Sequence, residues 1–62
     1  MAETGRALIE RMITDAEQKI EQTEDVVEIM RLAGEDVTEE TSLLGELKVR
    51  VGKYRAALEG RR

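Results

Sequence analysis

Apolar or small side chains recur at Ile9, Ile13, Ala16, Ile20, Thr23, Val27 and Met30, in alternating steps of four and three residues. This spacing holds one narrow stripe on one side of an α-helix over three heptads, the pattern of a helix that packs lengthwise against another. A second stripe of the same kind follows at Leu44, Leu47, Val51, Tyr54 and Leu58. The chain of 62 residues is therefore expected to be one domain, 1–62, with helix one over about 3–33, a turn at 34–38 and helix two over about 39–59.

The segment between the stripes explains the break. Gly34 can adopt the left-handed conformation that ends a helix, and Asp36 or Thr38 can cap the next one. Asp36 and Glu39 have the spacing of a capping box. A connection this short makes the second helix fold back on the first. The expected fold class is all-α: an antiparallel two-helix hairpin of the coiled-coil type that dimerises into a four-helix bundle.

In an antiparallel hairpin, facing residues have numbers with a nearly constant sum. At 74 the stripes interlock, with Met30 facing Leu44, Val27 facing Leu47, Thr23 facing Val51, Ile20 facing Tyr54 and Ala16 facing Leu58. The same register places Glu10, Glu17 and Glu24 along one flank opposite Arg62, Arg55 and Lys48. Exposed pairs of this kind contribute only about 0–1 kcal/mol each, so their expected role is to fix the register.

The other flank carries Met12, Val26 and Ala33 on helix one and Leu43 and Ala57 on helix two, interrupted by Lys19 and Arg50. Two helices alone enclose little core, so an apolar flank calls for a partner, and a second copy is the natural one. Helix one is also the longer, about 45 Å against about 32 Å at 1.5 Å per residue. Its start, with Leu8, Ile9, Met12 and Ile13, is expected to overhang uncovered and to join the contact. The candidate dimer or partner interface is therefore Leu8, Ile9, Met12, Val26, Ala33, Leu43 and Ala57. A separate candidate lies on the outer face of helix two, where Gly45, Val49, Gly52 and Ala56 form a smooth stripe for helix docking. Glycine inside a helix costs about 1 kcal/mol relative to alanine, and close approach of another helix would offset that cost.

Composition excludes most chemistry. The chain has no cysteine, histidine, tryptophan, phenylalanine or proline, and Tyr54 is its only aromatic residue. Disulfides, thiolate or imidazole metal sites and histidine-activated nucleophiles are thereby absent. Glu17, Glu21, Glu24 and Glu28, with Asp25 beside them, form an acidic ladder read as a solvated face, and no stripe position from Ile9 to Leu58 carries a charge at neutral pH. No catalytic residue, cofactor or metal site is expected, and the chain is read as a non-enzyme. No apolar run is long enough for an export signal or a membrane span, so the expected location is cytoplasmic and no membrane partner is expected.

The net charge of −4 divides unevenly: residues 1–40 hold twelve acidic and four basic side chains, and residues 41–62 hold two acidic and six basic. Mutual attraction of the halves is the simplest reading. Basic helix two, with Lys48, Arg50, Lys53, Arg55, Arg61 and Arg62, also raises nucleic-acid binding as an alternative. Against it stand the flank pairing, the acidic total and the lack of stacking rings.

In length and layout, including the small layer at Ala16 and Thr23, the chain resembles the Rop-type helical hairpins. That resemblance implies an antiparallel four-helix bundle and binding of paired RNA loops, although the helix that would carry such binding is acidic here. The stretch Met30-Arg31-Leu32-Ala33-Gly34-Glu35-Asp36, followed by Leu43-Leu44 and Tyr54-Arg55, is also similar to an uncharacterised group of short two-helix bacterial proteins, which implies no activity. The expected function is a small interaction or adaptor module that self-associates and binds another protein. The alternatives are a Rop-like RNA-binding hairpin and an acidic inhibitor that presents helix one to a basic partner.

Overall fold

The computed structural model describes residues 4–60. They form two helices, α1 (Gly5–Leu32) and α2 (Thr38–Gly60), that pack antiparallel as a hairpin 47 Å long. The bounds lie within two residues of those expected from the stripes. Helix α1 begins where it does because Thr4 is extended and its hydroxyl accepts a hydrogen bond from the Ala7 amide at 3.1 Å. That satisfies one of the amide groups that every helix start leaves without a partner.

Helix α1 stops through a local ring of backbone bonds. The Gly34 amide donates to the Arg31 carbonyl at 3.0 Å and the Glu35 amide reaches back to Met30 at 2.9 Å. This paired closure needs a left-handed residue between the two, and Gly34 supplies it with φ +80°. A side chain there would be strained by about 1–2 kcal/mol whatever space surrounds it.

Helix α2 is started by Asp36. Its carboxylate accepts from the Thr38 amide at 2.9 Å and from the Thr38 hydroxyl at 2.6 Å. The reciprocal bond from Glu39 that would complete a capping box is not made among the described residues; Glu39 and Glu40 act instead as charges at the positive end of the helix dipole. The Thr38 hydroxyl first, and its amide second, hold the Asp36 carboxyl below the ordinary aspartate range. A depressed value means that this carboxylate favours the folded state above the unfolded value of about 4, and that the contribution disappears as pH falls through the folded value. The difference in melting temperature between the parent and Asp36→Ala is therefore expected to be constant near neutrality and to close in acid. A difference independent of pH would remove the carboxylate's role.

All twelve residues of the two stripes are buried or half-buried. Ile13, Thr23, Val27 and Val51 are the buried ones, at 7–8% exposure, and the other eight are half-buried. Among the described residues only Val37 and Glu40 join them. Glu40 corrects the expectation of a stripe without charged groups, because it lies one helical turn before Leu44 and continues that stripe toward the turn. The expected overhang is also corrected. Ile13 is buried and Ile9 half-buried, because α2 runs on to Gly60 and Arg6 reaches across to the Leu58 carbonyl at 3.5 Å. Leu8 and Met12 alone of that group stand exposed.

Thr23 is the one buried polar residue among those described, and its hydroxyl donates to the Lys19 carbonyl on its own helix at 2.7 Å. That carbonyl keeps its ordinary helical partner, the Thr23 amide, if the hydroxyl is removed. Thr23→Val should therefore raise stability by on the order of 1 kcal/mol, because it replaces a hydroxyl in an apolar stripe with a methyl. Thermal unfolding measures the change, and a lower midpoint would show that the hydroxyl has a partner beyond its own helix.

Candidate functional site

The two flanks of the hairpin differ in kind, as the register requires. On the charged flank Arg55 pairs with Glu17, and Lys48 pairs with Glu24 at 3.5 Å. All four side chains are about half exposed, so the pairs orient the helices more than they stabilise them. The third expected pair is different. Glu10 pairs with Arg6 at 3.2 Å, one turn away on its own helix, where no long side chain need cross to α2. Its expected partner Arg62 lies outside the described residues.

The opposite flank presents apolar groups to solvent. Leu8 and Met12 are 46% and 45% exposed, and Val26 and Leu43 are exposed to a similar degree. Ala33 and Ala57 are exposed as well, whereas Ile9 is half-buried within the hairpin. Two large apolar residues were not among the expected ones, Ile29 and Leu32, at 66% and 83% exposure. Ile29 was legible: it lies three residues from Val26, on the same side of the helix. Leu32 sits on the other side, beside Glu28 and Arg31 along a shallow depression that also touches Val27 and Leu44.

On the outer face of α2, Gly45, Val49, Gly52 and Ala56 are all exposed. Nothing lies within 4 Å of the position a side chain would take at Gly45 or Gly52, so the hairpin itself makes no close approach there. Gly45 and Val49 line an open groove of about 640 Å³ with Glu46, Arg50, Lys53 and Tyr54. Gly52 and Ala56 do not line it. The groove has both signs of charge at its rim and no convergent set of polar groups, so its chemistry is that of a packing surface.

Among the described residues, no group of three or more histidine, cysteine, aspartate or glutamate side chains is placed to hold a metal ion. No helix is long and apolar enough to cross a membrane among them. Of the basic residues that made the second half of the chain a nucleic-acid candidate, Lys48 and Arg55 are engaged by glutamates of α1, and Arg61 and Arg62 lie outside the described residues. What the geometry offers is one flank held by ion pairs and one flank of solvated aliphatic side chains on a two-helix frame. The Rop-type resemblance extends to this hairpin layout, and comparison with known proteins adds no family to it: no family model, no curated protein and no solved structure matches the chain.

Proposed function

We propose that the chain is a non-enzymatic helical interaction module that pairs with a second copy through its apolar flank, forming a four-helix bundle, and in that form binds another protein. The observation that carries this reading is the thinness of the core. No large side chain of the hairpin is completely buried, while Leu8, Met12, Val26, Ile29 and Leu43 are left in solvent. A single hydrophobic core in a chain below about 70–80 residues rarely supplies more than about 3–5 kcal/mol, and covering a second apolar face is the ordinary remedy. The charged flank supports the same choice of face, because its glutamates already have partners within the hairpin and leave the apolar flank as the one to cover.

Sedimentation equilibrium across a concentration series tests the proposal. The expected result is twice the 7.0 kDa chain mass at micromolar concentration, falling toward the chain mass on dilution. A single 7.0 kDa species at high micromolar concentration would overturn it. Binding to RNA that survives physiological salt would point instead to the basic side of α2.

A further inference from the structure

A second heptad stripe runs the length of α1, beside the one buried in the hairpin. Leu8, Met12, Asp15, Lys19, Gln22, Val26 and Ile29 follow one another in alternating steps of four and three, and all are exposed. The stripe is apolar at both ends and charged in the middle. Neither Asp15 nor Lys19 has an ion-pair partner among the described residues. We infer that this stripe docks antiparallel on the same stripe of a second copy, with Asp15 of each chain facing Lys19 of the other. The inference rests on the self-association proposed above and specifies its register.

Antiparallel heptad stripes interlock only in registers seven residues apart, so few arrangements need comparison. With facing numbers adding to 34, Asp15 meets Lys19 twice across the two-fold axis, Leu8 meets Val26 and Met12 meets Gln22. Sliding to 41 sets Asp15 against Val26 and Lys19 against Gln22, which takes charges from water without opposite partners. Sliding to 27 sets Leu8 against Lys19 and Met12 against Asp15. Docking with both turns at one end brings α1 against α2 of the second copy and sets Arg50 opposite Val26. The first register alone gives every charge on the stripe an opposite one.

Helix α2 is compatible with the same axis. In the hairpin register Ala57 lies level with residue 17, midway between Asp15 and Lys19, and it is small and exposed. The two second helices therefore meet at a position that bears only a methyl group, so they do not hold the stripes of α1 apart. Leu43 and Ala33, at the turn end, fall beyond the overlap.

Charge reversal on separate chains tests the register. Asp15→Lys alone places lysine against lysine at both sites, and Lys19→Asp alone places aspartate against aspartate. Each is expected to weaken self-association at least about tenfold. An equal mixture of the two variants restores opposite charges at both sites and is expected to associate within about threefold of the parent. Circular dichroism of each variant reports whether its helices persist. On the parent protein, zero-length carbodiimide coupling of mixed light and isotope-labelled chains is expected to join Asp15 of one to Lys19 of the other. Variants that associate as the parent does, a mixture no tighter than its components, or coupling confined to single chains would each overturn the register while a dimeric parent kept the self-association. A monomeric parent would remove both.

Discussion

Val27→Asp is expected to abolish most of the helicity at neutral pH and to recover part of it in acid. Val27 is 7% exposed and, in the hairpin register, faces Leu47 across the middle of the core. The substitution removes a buried aliphatic group, worth about 1.5–3 kcal/mol, and puts a carboxylate where water cannot follow, which costs several kcal/mol more. Arg31 is one turn away, but an ion pair at the surface returns only about 0–1 kcal/mol. The loss therefore exceeds what a core of this size supplies. Protonation in acid removes the charge and with it the larger part of the penalty, which accounts for the expected recovery. Val49→Asp provides the contrast: Val49 is 57% exposed on the outer face of α2, and an aspartate there should leave helicity nearly unchanged. Far-ultraviolet circular dichroism across pH measures both. A fully helical Val27→Asp chain at neutral pH would mean that the interlocked stripes do not hold the hairpin, and loss of helicity in Val49→Asp would mean that the outer face is covered.

Thermal unfolding should depend on protein concentration. If the apolar flank is covered by a second copy, folding and association share one equilibrium, and each tenfold dilution lowers the stability of the assembly by about 1.4 kcal/mol per dimer. In a chain this small a change of that size moves the melting temperature by several degrees. Leu8→Glu should lower the melting temperature at a given concentration, since it sets a charge among aliphatic groups at the end of the stripe while leaving the hairpin's own buried stripe untouched. Melting curves that superimpose from low micromolar to millimolar concentration would contradict the coupling.

The membership of the two inner stripes was legible from spacing alone, but the covering of Ile9 and Ile13 was not, because the expected overhang of the first helix is not found. Each residue from Ile9 to Met30 and from Leu44 to Leu58 on the two stripes is the one withdrawn from solvent, because the repeat of the stripe and the pitch of the helix leave it no other face to occupy. Arg55 with Glu17 and Lys48 with Glu24 followed from the same register. The ends were less legible. Thr4 caps α1 through its hydroxyl, a role open to any short polar residue near a helix start, so the sequence leaves the first turn uncertain by a residue or two. Glu10 was read as pairing with Arg62, which lies outside the described residues, and its pairing with Arg6 one turn away on the same helix was not read. Glu40 continues the stripe of α2 toward the turn, where a carboxylate can be half-buried because its end still meets water. The apolar flank was visible in the spacing, and Ile29 belonged to it by its distance of three residues from Val26. The stripe through Asp15 and Lys19 emerged only when exposure separated the residues the hairpin uses from those it leaves over.

The bonds that stop α1 span three to five residues, from Ala33 to Ile29, from Gly34 to Arg31 and from Glu35 to Met30. The chain's reversal thus needs no distant segment to form it. Local closures of this kind assemble within roughly microseconds, far ahead of an encounter between two molecules at micromolar concentration. If the chain self-associates as proposed, the order of events on refolding follows: the doubled-back chain appears first at a rate indifferent to dilution, and only the later gain in protection is paced by how often two such chains collide.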